Sequence, residues 1–440
     1  MRARRLAALL LVLATGLSLT GCWDHAELEG VGFILALGVD PAPGNQVVVT
    51  SLVAVPGKLA GGKEGTGGGD QPHTTTVVQA PDIVSALNLA QAFLGRRASL
   101  LHCKVLVVGE ALARQGLAAP INELARFRQA RRTMNLIVAR GTAMDLLQAL
   151  KPDIERDPTR YLEIMTLNDR YTGFLPDNAQ LHDFATVLSA SGLDPVAYLA
   201  QLRKDAEGTR PGSHKQGGGN KQSPDQTKAP PPAPTGRPGA ALPVPVPQFL
   251  PGQVPRRGTA TIDMIGTAVF RQDRLVGVLS GEETRLMLML KGRYYRSHFS
   301  LRDPIQAGQW VTLDLRRARP PTARVSRQGN AVTVSTQLEL EAELVSQSGV
   351  TNFTLPANRA RLEAALGQDL ATQARAVQRK AQRWQADVFG YGERARRLFA
   401  TWDEWLAFGW RRRWTQARLD TSARVQIRRY GMQTMPLVPS

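Results

Sequence analysis

Runs of apolar residues predict two β-hairpins in this 440-residue chain. In the first, an apolar run over 30–39 and a valine-rich run over 46–55 flank a Pro43-Gly44-Asn45 turn. In the second, apolar residues over 265–270 and 275–279 flank a short polar turn. Runs of this length on either side of turn-forming residues are typical of paired antiparallel strands.

The C-terminal half carries the clearest periodic patterns. Residues 332–344 alternate, with six apolar side chains and Thr336 on one face and three glutamates on the other. This alternation predicts a long strand of an antiparallel sheet with one solvated face. Apolar residues from Leu362 to Val388 recur at helical spacing and predict a long helix that covers the sheet. The glycines in Phe389-Gly390-Tyr391-Gly392 are expected to end that helix.

The remaining segments mix helical and strand patterns. Asp82 can cap a helix with an apolar stripe, and Thr142 with Asp145 resembles a second capping pair. The other patterns predict strands over 101–108, 134–139 and 423–427, helices over 109–127, 282–290 and 393–407, and a mostly helical stretch over 154–202. Within the strand over 101–108, His102 and Cys103 are expected to point to opposite faces, which argues against a metal site.

Composition divides the chain into two halves. Residues 204–258 hold nine glycines and twelve prolines in 55 positions, so they bury too little apolar surface to offset their ordering entropy. We interpret them as a disordered linker. The preceding residues 22–203 predict a mixed α/β domain. The following residues 259–440 predict a strand-rich half, an antiparallel sheet packed by the long helix, which can divide into two subdomains near 295–305. The expected fold class is α+β, multidomain.

The N-terminus has the layout of a bacterial lipoprotein leader. Three arginines precede an apolar stretch over 6–17, and Leu19-Thr20-Gly21 leads into Cys22. The apolar stretch is too short to span a bilayer, so 1–21 is predicted to be a signal peptide cut between Gly21 and Cys22. We therefore expect a diacylglyceryl group on Cys22, with or without an N-acyl chain, and anchoring to the extracytoplasmic face of a membrane. No other cofactor and no metal is expected.

Net charge indicates which partners the protein can bind, and cysteine content indicates how its fold is stabilised. The formal net charge is +18, and the basic excess is concentrated in 204–258 and 357–440. For an exported protein this charge favours anionic headgroups or cell-wall polymers over nucleic acid, while an arginine-rich surface without a partner explains it equally well. If Cys22 carries lipid, Cys103 has no disulfide partner, and core burial alone must hold the fold.

Motifs for catalysis do not emerge from the sequence. It lacks a His-Glu-x-x-His helix, a Cys-x-x-Cys pair, a Gly-x-Ser-x-Gly elbow and a Rossmann glycine set. The adjacent Glu282 and Glu283 are interpreted as solvated charges. Arg411, Arg412 and Arg413 lie among tryptophans, which suits a membrane or partner surface. The alternative is that Trp402 and Trp405 pack into the core of the last domain.

Four segments resemble the Ger(x)C family of spore germination lipoproteins. They are the start of the mature chain over 21–28 and 31–40, the strand-to-helix step over 104–110, the hairpin over 266–277 and the helix end over 385–392. Each segment is moderately specific by itself, and their order and spacing extend the resemblance over nearly all of the mature chain except the linker.

This resemblance implies a function. Members of the family have a three-domain build and are the C subunits of germinant receptors on the outer face of the spore inner membrane. There they assemble with two integral membrane subunits, A and B, and are not known as enzymes. The resemblance leaves open whether the C subunit contacts the nutrient. Trp23, Asp24 and Glu27 lie close to the anchor, so we expect them to dock on a membrane subunit or hold the first domain near the bilayer.

Two rival classes stay open at the level of sequence. A solute-binding lipoprotein of a transporter needs two similar α/β lobes, whereas the strand-rich second half differs from the first. A cell-wall enzyme or wall-binding lipoprotein is the third class, and no motif supports it.

Overall fold

The computed structural model describes residues 3–5, 7–8, 27, 30–55, 73–150, 155, 157–167, 169–177, 179–203, 249–254 and 260–433. Most of the predicted signal peptide and of the predicted 204–258 linker lies outside these residues. Two β-sheets and the helices packed on them make up the described part of the chain.

The larger sheet has nine strands drawn from both halves of the chain. They are β1 (Val31–Ala42), β2 (Gln46–Ala54), β3 (His73–Ala80), β4 (Arg97–Ser99), β5 (Val105–Gly109), β6 (Asn135–Ala139), β7 (Val196–Leu202), β8 (Ile262–Arg271) and β9 (Arg274–Leu279). Their order is β3-β2-β1-β5-β6-β7-β8-β9, and β4 pairs with the start of β1. Strands β1, β5, β6 and β7 run parallel, as expected of a mixed α/β region.

Both predicted hairpins are confirmed. Strands β1 and β2 pair antiparallel through a turn in which Gly44 and Asn45 have φ of 72° and 57°. Strands β8 and β9 pair antiparallel through a turn with Gln272 at φ 57°. Glycine and asparagine adopt this left-handed conformation most readily, which is why the first turn forms where the sequence places it.

The first sheet includes strands from both sides of the predicted linker. Strand β7 precedes that segment and β8 follows it, yet the two pair antiparallel, with Val196 opposite Val269 and Leu202 opposite Ile262. The prediction that 154–202 is mostly helical is therefore wrong at its end, because an apolar run of this length suits a buried strand as well as a helix. The division into 22–203, 204–258 and 259–440 stays a prediction.

Seven helices lie between β3 and β8 in the described residues, namely α1 (Ile83–Leu94), α2 (Glu110–Gln115), α3 (Ala118–Arg126), α4 (Ala143–Gln148), α5 (Pro158–Leu167), α6 (Asp169–Thr172) and α7 (Leu181–Leu188). Both predicted caps are confirmed, since Asp82 accepts the Ser85 N–H at 2.6 Å and Thr142 accepts the Asp145 N–H at 3.0 Å. The single helix predicted over 109–127 is two helices, because Gly116 adopts φ 134° between them.

The structure also corrects the strand predicted over 101–108. Strand β5 starts at Val105, and the Cys103 N–H bonds back to the Leu100 carbonyl at 2.9 Å, which closes a turn. His102 is exposed in that turn, and its ring packs edge-on against Phe33 with 4.8 Å between centroids. His102 and Cys103 therefore do not alternate on a strand. Among the described residues, no group of three or more His, Cys, Asp or Glu side chains is placed to hold a metal ion.

The second sheet has five strands, β10 (Arg296–Arg302), β11 (Trp310–Arg317), β12 (Thr322–Gln328), β13 (Ala331–Gln347) and β14 (Arg418–Arg429), in the order β10-β11-β13-β12 with β14 beside β13. The predicted long strand is confirmed as β13, whose buried residues alternate along its length. Strand β14 pairs with β13 in parallel, unlike the other strands of this sheet. A parallel return needs a crossover, and the helices between β13 and β14 provide it.

The helices of this half are α8 (Gly281–Lys291), α9 (Pro356–Arg383), α10 (Tyr391–Arg396), α11 (Trp402–Phe408) and α12 (Trp410–Trp414). The long helix α9 buries its apolar stripe over the second sheet, as predicted. It ends at Arg383, earlier than expected, because Gln385 adopts φ 58° and the Ala386 N–H bonds back to the Ala381 carbonyl. The helix predicted over 393–407 is two helices, α10 and α11. The expected fold class, α+β with a strand-rich second half packed by a long helix, is confirmed.

The interpretation of Glu282 and Glu283 as solvated charges is wrong. Both residues are only 8% exposed, because α8 is packed on all sides, against β8 and β9 and against α9. Glu283 forms a capping box with Ser280 and an ion pair of 2.6 Å with Lys380 of α9. Glu282 accepts the Phe249 N–H at 3.1 Å, and burial raises the pKa of its carboxyl. The two carboxylates therefore stabilise the position of α8 through the capping box, the ion pair with α9 and the hydrogen bond from Phe249.

Candidate functional site

The predicted anchor residues lie at the edge of what the structure describes. Gly21, Cys22, Trp23 and Asp24 are outside the described residues, so their roles stay predictions. Glu27 is exposed, and its carbonyl accepts the Gly30 N–H at 3.0 Å, just before β1. Nothing in its surroundings tests the predicted docking role. Among the helices of the described residues, none has the length and apolar character needed to cross a bilayer.

The three consecutive arginines have different surroundings. Arg411 donates to a side-chain oxygen of buried Asp194 at 2.9 Å. Arg413 donates to the carbonyls of Phe408 and Asn330 at 2.9 and 3.0 Å. Arg412 is exposed. Two of the three guanidinium groups thus bind within the chain, and the predicted membrane or partner contact stays a prediction.

The neighbouring tryptophans form part of the core. Trp405, Trp410 and Trp414 are buried and stack in series, with 6.2 Å between successive ring centroids. Trp402 is 48% exposed. The alternative that assigned Trp402 and Trp405 to the core is therefore right for Trp405 and wrong for Trp402, because α11 turns only one face inward.

A buried carboxylate, Asp387, organises the chain that follows α9. It is 1% exposed, and its two oxygens accept five N–H groups at 2.7–3.3 Å, from the backbone of Phe389, Gly390, Tyr391 and Gly392 and from the indole of Trp410. Burial raises the pKa of Asp387 to about 6, and it outweighs the hydrogen bonds from Gly392 and Phe389, which act in the opposite direction. One side chain therefore fixes the turn between α9 and α10 and the position of α12.

A second buried carboxylate, Asp194, joins three distant parts of the chain. It lies just before β7 and accepts the backbone N–H of Gln272 in the β8–β9 turn at 3.0 Å. It also accepts the Asp387 N–H at 2.9 Å and the Arg411 guanidinium at 2.9 Å. In return, the Asp194 N–H donates to the Asp387 carbonyl at 2.8 Å. The first sheet is thereby bonded to the helices that pack on the second.

Two glycines allow the backbones to meet at this junction. A Cβ on Gly192 would lie 2.7 Å from the carbonyl carbon of Gly392, closer than side-chain atoms approach backbone in proteins. The Trp405 indole closes the same contact by donating to the Ser191 hydroxyl at 2.6 Å. We call the set Gly192, Asp194, Asp387, Gly392 and Trp410 the sheet junction. It is a structural joint whose polar groups are already engaged within the chain.

A cleft of about 420 Å³ opens beside the sheet junction. Its walls carry both signs of charge, from Asp177, Asp183, Asp194, Glu393, Lys291, Arg293, Arg394 and Arg397. Part of this charge is paired within the wall, since Lys291 lies 2.8 Å from Asp177. Burial raises the pKa of Asp183. Ligand pockets are usually lined mainly by apolar side chains. The walls of this cleft are instead mostly charged, so they suit a small polar or ionic solute better than an apolar one.

Comparisons with known proteins cover both halves of the chain. The family model described as spore germination protein N-terminal domain matches 24–202. The model described as spore germination B3/GerAC like, C-terminal, matches 265–431. Together they define the class, a spore germination protein with both parts of that architecture in order. The chain belongs to the Ger(x)C family, as its resemblance to that family implies.

Individual relatives come from Bacillus subtilis (strain 168). The protein named YfkR is 24% identical over 398 residues, which cover 89% of this chain and 88% of the relative. Spore germination protein KC is 26% identical over 245 residues, 46% of this chain and 60% of that protein. The crystal structure of the GerBC protein is similar with a TM-score of 0.48 at 14% identity, covering 89% of this chain and 96% of that one. Family membership supports a germinant receptor subunit and not the solute-binding lipoprotein considered as the alternative.

Proposed function

We propose that this chain is the lipid-anchored C subunit of a nutrient germinant receptor, on the outer face of the spore inner membrane, where it serves receptor assembly or signalling. The observation that carries the proposal is the ordered match of both family models, over 24–202 and 265–431. The leader that ends in Leu19-Thr20-Gly21-Cys22 supports lipid anchoring, because its small residues precede a cysteine as a lipoprotein signal requires.

The work of the subunit is binding and not catalysis. Its acyl chains hold it to the bilayer, and its broad surfaces meet the two integral membrane subunits, A and B. Support comes from the relatives, whose names place them in spore germination, and from family membership. Two acyl chains on one cysteine suffice for a stable anchor, whereas one chain binds reversibly.

Deletion and complementation test the proposal. Spores that lack the chain are expected to lose the response to at least one nutrient, and the unaltered chain restores it. The variant Cys22→Ala is expected not to restore it, because the protein loses its stable lipid anchor. The matched control is Cys103→Ala, which removes the other cysteine of the chain and is expected to keep lipidation and germination. Normal germination of the deletion strain across nutrients contradicts the proposal.

The residues next to the anchor carry a separate expectation. Replacing Trp23, Asp24 and Glu27 by Ala is expected to leave Cys22 lipidated and to reduce the amount of A and B subunit recovered with the chain. The measurement is co-purification from detergent-solubilised spore membranes, with lipidation followed by mass spectrometry. Equal recovery of both subunits together with normal germination would show that these three residues are not a docking site.

A further inference from the structure

Exposed apolar and basic side chains lie together at one edge of the first sheet. Phe93, near the end of α1, is 61% exposed, and Leu101, in the turn before β5, is 55% exposed. Arg96 and Arg97 lie between these two residues in the chain, Arg131 lies on the loop before β6, and all three arginines are exposed. We call these five residues the N-terminal edge surface. Large exposed apolar side chains beside arginines are more typical of a contact surface than of a solvated face.

Backbone contacts place these residues at the beginning of β1. Strand β4 pairs with the first residues of β1, with Arg97 opposite Val31 and Ser99 opposite Phe33. The ring of His102 packs on Phe33 at 4.8 Å, which holds the turn that carries Leu101 against the same residues. This surface is therefore where the described chain enters the sheet.

The loop before β6, which contains Arg131, is bonded to the same edge. The Leu100 N–H is 3.4 Å from the Gln129 side-chain oxygen, and the Asn135 N–H donates to the Lys104 carbonyl at 2.9 Å. Both contacts tie the loop that contains Arg131 to the turn that contains Leu101. Within the described ranges, no carboxylate lies within salt-bridge distance of the Arg96, Arg97 or Arg131 guanidinium. Their charge is thus available to an external anion.

The position of the predicted lipid anchor favours a lipid bilayer as the partner of this surface. Eight residues lie between Cys22 and Val31, so even a fully extended chain reaches only about 30 Å from one to the other. A lipid on Cys22 therefore keeps this edge, and no distant face of the molecule, close to the bilayer. Arginine binds phosphate through paired donors, and aromatic and leucine side chains partition into the headgroup region. Both the composition of the surface and its position therefore favour an anionic bilayer as the partner.

We propose that the N-terminal edge surface lies on an anionic phospholipid bilayer, with Phe93 and Leu101 inserted among the headgroups and Arg96, Arg97 and Arg131 on their phosphates. This proposal rests on the proposed lipid anchoring. It adds an orientation of the protein, in which the N-terminal ends of the parallel strands face the membrane. The acyl chains then restrict the distance of the protein from the bilayer, while this surface restricts its rotation.

Vesicle binding tests the surface apart from the anchor. The mature chain from residue 22 to its end, with Cys22→Ala so that it carries no lipid, is sedimented with phosphatidylcholine vesicles with and without phosphatidylglycerol. The variant R96Q/R97Q/R131Q is expected to bind phosphatidylglycerol vesicles on the order of 100-fold more weakly than the starting chain. The matched control R324Q/R418Q/R424Q removes the same charge from exposed positions on the second sheet and is expected to change binding only a few-fold.

A fluorescent probe locates the contact even if a charge variant folds poorly. A polarity-sensitive dye on Phe93→Cys is expected to shift to the blue on phosphatidylglycerol vesicles. The same dye on Val350→Cys, an exposed position of the second half, is expected not to shift. Burial raises the pKa of the Cys103 thiol to about 12, so the native cysteine does not compete for the dye.

Three results would overturn the proposal: no binding of the starting chain to phosphatidylglycerol vesicles, equal losses in the two triple variants, or equal shifts of the two probes. The first of these would favour an acidic protein surface as the partner. None of them bears on the receptor role, which the deletion and Cys22→Ala experiments test in spores. Conversely, failure of those experiments leaves the vesicle result standing as a property of this surface.

Discussion

At the sheet junction, the small size of two glycines matters as much as the charge of two aspartates. Gly192 and Gly392 bring two backbones into direct contact, and any side chain on either glycine meets main-chain atoms that have no room to move. Asp194 and Asp387 then satisfy the backbone donors that this close approach buries. The junction therefore tolerates little change in the size of a side chain.

Gly192→Ala is expected to destabilise the chain by about 1–3 kcal/mol or more, because its methyl group overlaps the backbone of Gly392. The matched control is Gly30→Ala, since nothing lies within 4 Å of the Cβ position at Gly30. Urea unfolding curves of both variants measure the difference. Equal midpoints for the two variants would show that the backbones at the junction separate easily.

Asp387 is expected to make stability depend on pH. Its pKa is about 6 in the folded chain, against an ordinary value of 3.8, so the folded state binds the proton more tightly than the unfolded state does. The contribution of this group to the free energy of unfolding is therefore greatest below pH 3.8 and is lost as the pH rises through about 6. A carbon NMR titration of the Asp387 carboxyl measures the pKa directly, and a midpoint near 4 would contradict the prediction.

The residues of the sheet junction were not predictable from the sequence. Asp194 and Asp387 are 193 positions apart, and hydrophobic periodicity informs only about neighbours within one helix or strand. The available signal was local: Gly192 and Asp194 lie close together, and Asp387 precedes two glycines. In contrast, the caps at Asp82 and Thr142 were predictable, because each acts on an N–H three residues further along.

At the scale of helices and strands, burial decides which predictions hold. Hairpins, caps and the alternation along β13 follow from local chemistry, and the structure confirms them. Helix α8 has no exposed face, since Gly281–Leu290 are all buried. Its sequence pattern does not distinguish enclosed glutamates from solvated ones, so the burial of Glu282 and Glu283 was not predictable. The ends of α2 and α9 depend on left-handed or unusual backbone at Gly116 and Gln385, which composition alone does not reveal.

The ion pair between α8 and α9 is expected to contribute more than a surface pair. Lys380→Met leaves the Glu283 carboxylate, whose side chain is 10% exposed, without its cation and is expected to cost about 3 kcal/mol. Arg428→Met breaks the exposed pair with Glu341, at 55% and 46% side-chain exposure, and is expected to cost less than about 1 kcal/mol.

Denaturation midpoints of both variants give the comparison. Adding Glu283→Gln to Lys380→Met is expected to recover part of the loss, because it removes the unpaired charge. If the two single variants lose the same stability, the pair between α8 and α9 contributes no more than a surface contact.

At the scale of the whole molecule, the two halves share one sheet. Strands β8 and β9 come from the second half, yet they complete the sheet of the first through the β7–β8 ladder. The same two strands supply the turn that Asp194 binds. The fold class was predictable because each half has its own pattern, whereas pairing across 204–258 involves residues that no local pattern connects.

A cut between the halves is therefore expected to leave them together. A protease site inserted at position 220 and then cleaved should give two fragments that co-elute in native buffer and separate in urea. The β7–β8 ladder and the sheet junction supply the hydrogen bonds and buried surface that hold them. Fragments that part in native buffer would show that the two halves are independent units joined only by the chain.

Pairing of β7 with β8 also has a mechanical consequence. If one end of the protein is tethered to a bilayer and a partner pulls on the other half, the hydrogen bonds between β7 and β8 bear the tension. Rows of hydrogen bonds loaded along the strand direction share the force among many groups. A displacement of the second half is then passed to the tethered half as a rigid movement, and insertions or deletions in the connection leave that coupling unchanged.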